Sequence, residues 1–439
     1  MRPIRLLLLF CAVLAAILGV LAVGLFGIAR LPWSERQAAA WLTGELGLPV
    51  QVGALAVGYF PEPWLEIDGL SIAAADSETA GRVIEADRVK LVVPWRTALG
   101  RGLAVTSMSV TSPRLHLVRD ASGQANWDGL SERISDLMAG ESLAWSLGAL
   151  GIEGGSVGYR DELAANNFEA TGIAITGRNI APGKPFPGQV RLAVQSAGHI
   201  LHAAVDGQVM VDPDHDAYAA QELNFDGWLG GGELPLAGVK LTAAIKELKV
   251  DLASGSVDAH GLEFDGLGVH ASLEAEVRAL ESRPVARFAL HTTPFAPRTI
   301  GYSLNQPLPA TGDPAALGRA LLDLQAEWSE AGLRVDDIHG ELDDSRFEGS
   351  LWLPAGGLPP QLRLNVDQLE LDRYLPAGSP ENGAKSAPQA AAKALLAGLQ
   401  EITIDAVITV GRARASGVTA RELKVTLSPD EASSRKAQP

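Results

Sequence analysis

A pentapeptide of the chain has the residue types of a hydrolase nucleophile. Gly154-Gly155-Ser156-Val157-Gly158 fits the G-x-S-x-G pattern of a nucleophile elbow. The elbow needs a strand before the serine and a helix after it, so that the hydroxyl is held in a sharp turn. Here Tyr159 and Arg160 continue what reads as a strand or hairpin, and chance matches are common in a chain with 47 glycines. The pattern favours a β-turn, and acyl hydrolysis at Ser156 is the weaker alternative.

Two further groups of polar residues have the types that bind metals. Asp212-Pro213-Asp214-His215-Asp216 starts like an EF-hand loop, but Ala217 and Leu223 stand where that loop needs Gly and Glu. His199 and His202 are three residues apart in an alternating stretch, so on a strand their rings point to opposite faces. We therefore predict a solvated turn at 212–216. We expect no metal site, no cofactor and no enzyme activity.

Apolar and polar residues alternate in several stretches, which predicts strands that have one apolar face. The clearest stretch runs from Gln361 to Leu369, and Lys240 to Leu252 alternates less regularly. Two shorter stretches are 190–195 and 286–291. The apolar positions that we single out are Val190, Leu192, Val194, Phe288, Leu290, Leu362, Leu364 and Val366.

Turns and short helices are predicted between these strands. Asp-Gly pairs at 206–207, 226–227 and 265–266 predict turns. Ser34 and Gln37 form a capping box that begins a helix, which Gly47 and Pro49 end. Apolar residues at helical spacing predict helices over 127–138 and 389–399. Another is predicted to begin at Asp313-Pro314, with Leu317, Leu321, Leu322 and Leu324 as its apolar residues.

The N-terminus has the pattern of a membrane anchor. Leu6 to Ala29 is a run of 24 residues without a charge, Asn, Gln, Ser or Thr. As a helix this run is roughly 36 Å long, against a hydrocarbon core of about 30 Å. Arg2 and Arg5 precede it, which predicts a cytoplasmic N-terminus, with the rest of the chain after Arg30 outside the cytoplasm. A cleaved signal peptide is the alternative, but its apolar region is usually about 7–15 residues long.

Composition limits the class of protein. The chain has 439 residues, 47% of them hydrophobic, which excludes global disorder. Its net charge of −16 argues against a nucleic-acid partner. The single cysteine, Cys11, excludes an intramolecular disulfide and zinc sites built from cysteines. Charged residues are only 20%, below the usual value of about 25%. Strands and turns that recur without a strict repeat favour an elongated β structure.

Several segments, taken in order, resemble one protein family. Residues 113–127 read PRLHLVRDASGQANW, and 369–376 read LELDRYLP. Before the first of these come Gly47 to Val50, Phe60-Pro61 and Leu65 to Leu70, and between the two come Pro294 to Pro297, Leu308 to Leu317 and Leu342 to Gly349. This order of motifs resembles the AsmA family over about residues 1–376. The positions that match the family's structural motifs are Asp120, Gly123, Asn126, Trp127, Asp313, Pro314, Asp372, Tyr374 and Pro376.

The resemblance implies a mainly β fold. An N-terminal transmembrane helix would be followed by an elongated, twisted and curled antiparallel-rich β-sheet that forms an apolar groove, with a few short amphipathic helices. The predicted divisions are a cytoplasmic stub and anchor (1–30), an N-terminal module (31–140) and a continuing groove (141–376). A linker with a short helix (377–400), a C-terminal β segment (401–427) and a disordered tail (428–439) follow. Relatives usually continue further, which implies a short member, a fragment or half of a split protein.

The resemblance also implies a function. It predicts a protein of the bacterial inner membrane with most of its chain in the periplasm. The groove would carry phospholipid acyl chains between the inner and outer membranes and support outer-membrane homeostasis, with the eight apolar positions named above as its lining. The alternative is a scaffold or assembly factor that binds another envelope protein through its strand edges. Neither reading includes a nucleic-acid partner.

Overall fold

The structure is a computed structural model that describes residues 35–73, 82–98, 103–127, 145–163, 166–196, 198–232, 234, 238–280, 283–306, 308, 310–374, 404–415 and 417–428. Strands take up 69% of the described residues, so the prediction of a mainly β protein is confirmed. The chain divides into two compact units, Met1–Gly232 and Glu233–Pro439, called here the N-terminal and C-terminal units.

Within the described residues the helices are few and short. They are α1 (Glu35–Leu46), α2 (Trp95–Ala98), α3 (Pro297–Ser303) and α4 (Leu371–Tyr374). The predicted helix after Ser34 is confirmed as α1, and it ends at Gly47, whose positive φ of 66° suits a residue without a Cβ. None of the helices in the described part is long and apolar enough to cross a membrane. The predicted anchor lies outside the described residues.

The N-terminal unit contains a mixed sheet of eleven strands. They are β1 (Val50–Gln51), β2 (Ala54–Gly58), β3 (Trp64–Ala73), β4 (Arg82–Val92), β5 (Leu103–Thr111), β6 (Arg114–Arg119), β7 (Trp145–Asp161), β8 (Asn166–Ile180), β9 (Phe186–Ser196), β10 (His199–Asp212) and β11 (Ala217–Gly231). β1 and β2 both pair with β3, and β5 and β6 both pair in parallel with β7. From β7 to β11 each strand pairs antiparallel with the next.

The C-terminal unit contains ten strands, which pair in chain order. They are β12 (Val239–Asp251), β13 (Ser256–Gly266), β14 (Val269–Arg278), β15 (Val285–Thr292), β16 (Ala320–Ser329), β17 (Gly332–Leu342), β18 (Ser345–Pro354), β19 (Gln361–Glu370), β20 (Asp405–Ala415) and β21 (Val418–Leu427). Every pair is antiparallel except β19–β20. A parallel pair needs a crossover of a dozen or more residues, and the chain between Glu370 and Asp405 is long enough to supply it.

The hydrophobic core lies in the first part of the N-terminal unit. Its buried residues run from Leu42 of α1 to Ile173 of β8. The ten largest side chains that are almost fully enclosed all lie between Ile67 and Ile173. Helix α1 contributes Ala38 and Leu42, one turn apart, which are both buried. This part of the sheet is therefore closed over by its own chain.

Strands that were predicted from alternation are confirmed. The stretch from Gln361 is β19, that from Lys240 is β12, and those at 190–195 and 286–291 lie within β9 and β15. The turn at 265–266 is displaced slightly, because β13 ends at Gly266 and the hairpin turn is Leu267-Gly268. The predicted helices over 127–138 and 389–399, the linker and most of the tail fall on residues outside the described ranges.

Three local predictions are wrong. Asp206-Gly207 and Asp226-Gly227 lie inside β10 and β11 rather than in turns, and Gly227 pairs in register with Ala203. No helix begins at Asp313: a short turn ends near Leu317 and is followed by β16. Leu322 and Leu324 both belong to that strand, because a short apolar run fits a strand as well as a helix.

Candidate functional site

The C-terminal unit carries a line of nine aliphatic residues and one glycine across its sheet. One residue from each of its ten strands stands beside the next in the strand register. We call this line the aliphatic row: Ile245, Leu262, Leu273, Leu290, Leu324, Ile338, Gly349, Leu364, Ile408 and Val425. Because residues paired in register point to the same side of a sheet, the row lies on one face.

Two parallel rows flank the aliphatic row on the same face, two residues away along most strands and three residues away on β12, β13 and β17, where the register is irregular. One contains Ala243, Phe264, Ala271, Thr292, Leu322, Gly340, Phe347, Val366, Val410 and Leu423. The other contains Leu248, Ala259, Ala275, Phe288, Ala326, Val335, Leu351, Leu362, Ala406 and Leu427. The three rows hold no charged residue, and Thr292 is their one polar member. Together they form what we call the apolar face.

The large side chains of the apolar face are mostly half-buried. Leu290, Leu324, Leu362 and Leu364 are all of intermediate exposure, whereas the core residues of the N-terminal unit are almost fully enclosed. With strands about 4.8 Å apart, the face extends roughly 43 Å across ten strands and about 13 Å along them. Within the described part of the C-terminal unit, this is a long apolar surface that its own strands cover only in part.

The opposite face of the same strands is charged. Arg287 Nε lies 2.9 Å from Glu327 Oε2 on the neighbouring strand, and Arg278 Nη2 lies 2.8 Å from Asp258 Oδ1. His260 Nδ1 lies 2.9 Å from Glu274 Oε2. Exposed pairs of this kind contribute little to stability. Their effect here is to keep that face in water, so that the two sides of the sheet differ sharply in polarity.

A second apolar surface lies on β9–β11 of the N-terminal unit. Val190 pairs with Val205, and Val205 pairs with Phe225. Val194 pairs with Leu201, and Leu201 with Leu229. All of these are half-buried. Leu192 and Val194 also pack against the closed core. The surface therefore begins beside the core at β9 and continues onto β10 and β11, where the residues named above are only half-buried.

The eight candidate lining residues fall on these two surfaces. Val190, Leu192 and Val194 share one face of β9. Phe288 and Leu290 of β15 lie on the apolar face of the C-terminal unit, as do the candidates of β19, which are Leu362, Leu364 and Val366. Alternation identified these eight, but it missed the rows' members on β13, β14, β17, β18, β20 and β21. Bulges on several of those strands interrupt the two-residue period.

The second group of family-motif residues forms a polar cluster at one end of the C-terminal unit. Arg373 Nε lies 2.7 Å from Asp313 Oδ2, and Tyr374 Oη donates to Asp343 Oδ2 at 3.0 Å. Asp343 also accepts from the backbone N–H of Leu317 at 2.8 Å, and its other oxygen accepts from the two residues that follow. We call these residues the clasp, because they hold the turn before β16 to the β17–β18 hairpin and to α4.

Electrostatics in the clasp favour charged carboxylates and a neutral phenol. Burial opposes ionisation of Asp343, but the backbone N–H groups that it accepts outweigh this and lower its pKa. The backbone N–H of Ala315 and the guanidinium of Arg373 lower the pKa of Asp313. Burial, together with the hydrogen bond to Asp343, raises the pKa of Tyr374 to about 12. These groups are paired with each other, which indicates a structural role.

The remaining residues of that motif are placed differently. Pro314 and Asp372 are exposed, and Pro376 lies outside the described residues. Two residues that hold the turn before β16 were not singled out as motif positions from the sequence, although Asp343 lies in the family-like segment Leu342 to Gly349. Asp343 is the acceptor for the whole turn, and Arg298 donates to the carbonyl of Ala316 through Nε at 3.0 Å and Nη2 at 2.8 Å.

The first group of motif residues builds a turn after β6. Asp120 Oδ1 accepts from the backbone N–H of Ser122 at 2.9 Å and of Gln124 at 3.0 Å, and Gly123 has a φ of 88°. Asn126 Oδ1 accepts from the N–H of Val118 at 3.0 Å, while its amide donates to the carbonyl of His116 at 2.9 Å. The Asn126 side chain thereby takes the place of a strand partner beside β6.

Trp127 follows this turn and packs rather than binds. Its ring lies 6.0 Å from that of Tyr159, which is 5.3 Å from the ring of Phe168. Tyr159 Oη donates to Asp161 Oδ2 at 2.9 Å. The motif therefore ties β6, β7 and β8 together at one edge of the N-terminal unit.

The residues that were considered as a nucleophile or as metal ligands lie in ordinary structural positions. Ser156 lies inside β7, where its N–H donates to the carbonyl of Pro113 at 2.8 Å, so the strand–turn–helix of a nucleophile elbow does not occur there. The predicted turn at 212–216 is confirmed, and in it His215 Nδ1 lies 2.9 Å from Asp212 Oδ2. That contact raises the pKa of His215. His199 and His202 are on β10, with an odd spacing that separates their faces.

Comparison with known proteins gives one match. The sequence model of the AsmA family matches residues 6–400, and the chain belongs to that family. A search of curated proteins found no match.

Proposed function

We propose that this AsmA-family chain is a lipid carrier that binds phospholipid acyl chains on its two apolar surfaces. The observation that carries the proposal is the apolar face: three rows cross ten strands without a charge, and most of their large side chains are half-exposed. Each acyl CH2 that leaves water for such a surface contributes about 0.8 kcal/mol. The charged headgroup would stay in water, because burying it unpaired is costly.

Movement along the surface would be passive. The aliphatic row presents Leu, Ile or Val on nine of its ten strands, with Gly349 on β18, so an acyl chain would exchange one aliphatic contact for the next. The sequence holds no G-x-x-x-x-G-K-[ST] motif, so a nucleotide is not expected to drive the movement. We propose that direction comes from the lipid content of the membranes at the two ends of the path.

The proposed location is the bacterial inner membrane, with the bulk of the chain in the periplasm. The uncharged run from Leu6 to Ala29, preceded by Arg2 and Arg5, supports a single crossing with a cytoplasmic N-terminus. In this setting the protein would move phospholipid between the inner and outer membranes and so contribute to outer-membrane homeostasis.

A direct test is native mass spectrometry of the full chain extracted in detergent, together with binding of a fluorescent phospholipid. We expect co-purified phospholipid and saturable binding. Leu364→Asp puts a carboxylate into the aliphatic row and should reduce binding several-fold. Asn365→Asp, the next residue on the opposite face, is the matched control and should bind like the parent chain.

A second variant and its control, on another strand, distinguish loss of lipid binding from failure to fold. Leu290→Asp lies in the same row on β15, and Ala289→Asp is its opposite-face control. Circular dichroism of all four variants would show whether the sheet is retained. The proposal is wrong if no phospholipid co-purifies and none binds, or if row and control variants bind equally while folded.

A scaffold or assembly factor is the second candidate, and strand β21 favours it. β21 pairs with β20 along one edge, and no strand in the described part of the chain pairs in register with its other edge. Val418 and Leu423 are exposed there. A partner strand could add to this edge. Capture of an envelope protein that Leu423→Pro abolishes, without any bound lipid, would favour this reading over the lipid carrier.

A further inference from the structure

Three aromatic side chains are exposed together at one end of the N-terminal unit. Phe60 is 89% exposed and Tyr59 is 53% exposed, in the loop between β2 and β3. Trp95, at the start of α2, is 47% exposed, and its indole N–H donates to the carbonyl of Pro61 at 2.9 Å. This hydrogen bond joins the two segments, and we call the three residues the aromatic tip.

The exposure of the tip is not the result of a loose fold around it. Leu65 and Ile67 follow within a few residues on β3, and both are almost completely buried in the core. The N–H of Val93 donates to the carbonyl of Pro63 at 2.9 Å, which ties the end of the loop to the strand beside it. A firmly held loop that presents aromatic rings to solvent is typical of an interaction surface.

The chemistry of the tip fits the interface of a bilayer. Tyrosine and tryptophan concentrate at membrane interfaces, where the ring meets the acyl region and its polar atom meets the headgroups. A cation that can face phosphate lies next to the tip, because Arg96 directly follows Trp95 and is exposed. Glu62 is the acid of the loop and is half-buried.

The sequence places a bilayer within reach of this unit. The uncharged run ends at Ala29, and five residues separate it from Glu35, the first residue of α1. Six Cα–Cα steps span at most about 20 Å. If the run crosses the membrane, α1 and the sheet that it packs on are held next to the headgroups.

We propose that Tyr59, Phe60 and Trp95 insert into the headgroup region of the bilayer that the N-terminal segment crosses. The aromatic tip sets which side of the N-terminal unit rests on the membrane. The inference rests on the predicted anchor and not on lipid binding by the apolar face, so either can fail without the other.

The test uses the full chain in liposomes of phosphatidylethanolamine and phosphatidylglycerol. Cys11→Ser removes the native thiol, and Glu62→Cys supplies a site for an environment-sensitive fluorophore while the three aromatic residues stay in place. Leu358→Cys is the control, because Leu358 is 65% exposed on a turn of the C-terminal unit. We expect a blue-shifted emission at position 62 that nitroxide-labelled phospholipids quench, and neither effect at position 358.

A second variant tests whether the aromatic side chains are responsible. Phe60→Ser, added to the Glu62→Cys chain, should lose most of the quenching while the protein stays in the liposomes. Equal emission and quenching at positions 62 and 358 would overturn the proposal. A blue shift at position 62 without nitroxide quenching would also overturn it, because protein, a second copy included, would then cover the loop. Bound phospholipid in the apolar face is measured separately and does not affect this readout.

Discussion

Tyr374 Oη donates a hydrogen bond of 3.0 Å to Asp343 Oδ2, 31 residues earlier in the chain. The same carboxylate accepts from the backbone N–H groups of Leu317, Gly318 and Arg319. A single side chain thus joins the end of the motif around Tyr374 to the turn that leads into β16. Because β16 supplies Leu322 and Leu324 to the apolar face, the clasp helps to set the register of that face.

Asp343→Asn should loosen the turn before β16. An amide has one acceptor oxygen and no charge, so it replaces charge-assisted hydrogen bonds by weaker ones and directs its N–H2 at other donors. Losses of this kind cost about 2 kcal/mol. Hydrogen exchange would measure it as faster exchange of the amides of Leu317, Gly318 and Arg319, since exchange reports local opening. Asp336→Asn, on an exposed position of β17, is the control. Unchanged exchange in Asp343→Asn would contradict the clasp.

Alkaline pH should weaken the clasp through Tyr374. Its pKa is raised to about 12 in the folded chain, mainly by burial, against an ordinary value of 10.0. The folded state therefore holds the phenolic proton more tightly than the unfolded state. The stabilisation is complete below pH 10 and is lost as the pH rises from about 10 to 12.

Tyr374→Phe should remove this part of the pH dependence. The parent chain is expected to show faster exchange of the 317–319 amides, corrected for intrinsic rates, as the pH rises above 10, whereas Tyr374→Phe is expected to show a flatter profile. Tyr302→Phe removes a well exposed phenol from α3 and should keep the parental profile. Identical profiles for Tyr374→Phe and the parent would count against the assignment.

Gly340 makes room for an aromatic ring on the apolar face. It pairs in register with Phe347, and a Cβ at residue 340 would lie 2.2 Å from Cζ of that ring. Gly340→Ala should therefore displace the ring and cost about 1–3 kcal/mol in stability. Thermal unfolding followed by circular dichroism would measure the loss. Gly158→Ala on β7, where a Cβ meets no atom within 4 Å, should leave stability nearly unchanged.

The double variant Gly340→Ala/Phe347→Ala separates a clash with the Phe347 ring from a general intolerance of β17 to change at Gly340. With the ring removed, the added methyl has space, so the second substitution should make the first less harmful and the two effects should not add. Simple additivity would mean that Gly340 is required for another reason, such as the carbonyl of Leu321, which lies 2.9 Å from the same Cβ position.

Local alternation predicted the parts of the fold that depend on a period of two residues. Phe288 and Leu290 were placed on one face of β15 from sequence, and Leu362, Leu364 and Val366 on one face of β19, because these strands contain no bulge in their pairing. The same logic failed near Leu322 and Leu324, where clustered leucines also fit a helix. Gly227 was read as a turn residue, although it is buried in β11 opposite Ala203.

Pairing over long distances could not be predicted from the chain. Asp313 and Arg373 are 60 residues apart, and no spacing rule connects them. The role of Asn126 as a stand-in for a strand partner was also hidden, because it depends on the backbone of β6 rather than on any side chain. The family resemblance marked Asp313 and Asn126 as structural without saying what they contact.

The continuity of the aliphatic row gives the sharpest prediction about the path of a lipid. Leu324 of β16 and Ile408 of β20 lie four strands apart in this row, roughly 19 Å across the sheet. A photo-reactive benzophenone amino acid at either position, in cells and in the extracted chain, should form adducts with phospholipid. The same group in place of Gln325 or Thr409, each one residue along and on the opposite face, should form few adducts.

Adducts at Leu324 without any at Ile408 would mean that lipid occupies a local pocket and not a continuous path. Equal yields at row and control positions would mean that the polarity of the two faces does not direct lipid at all.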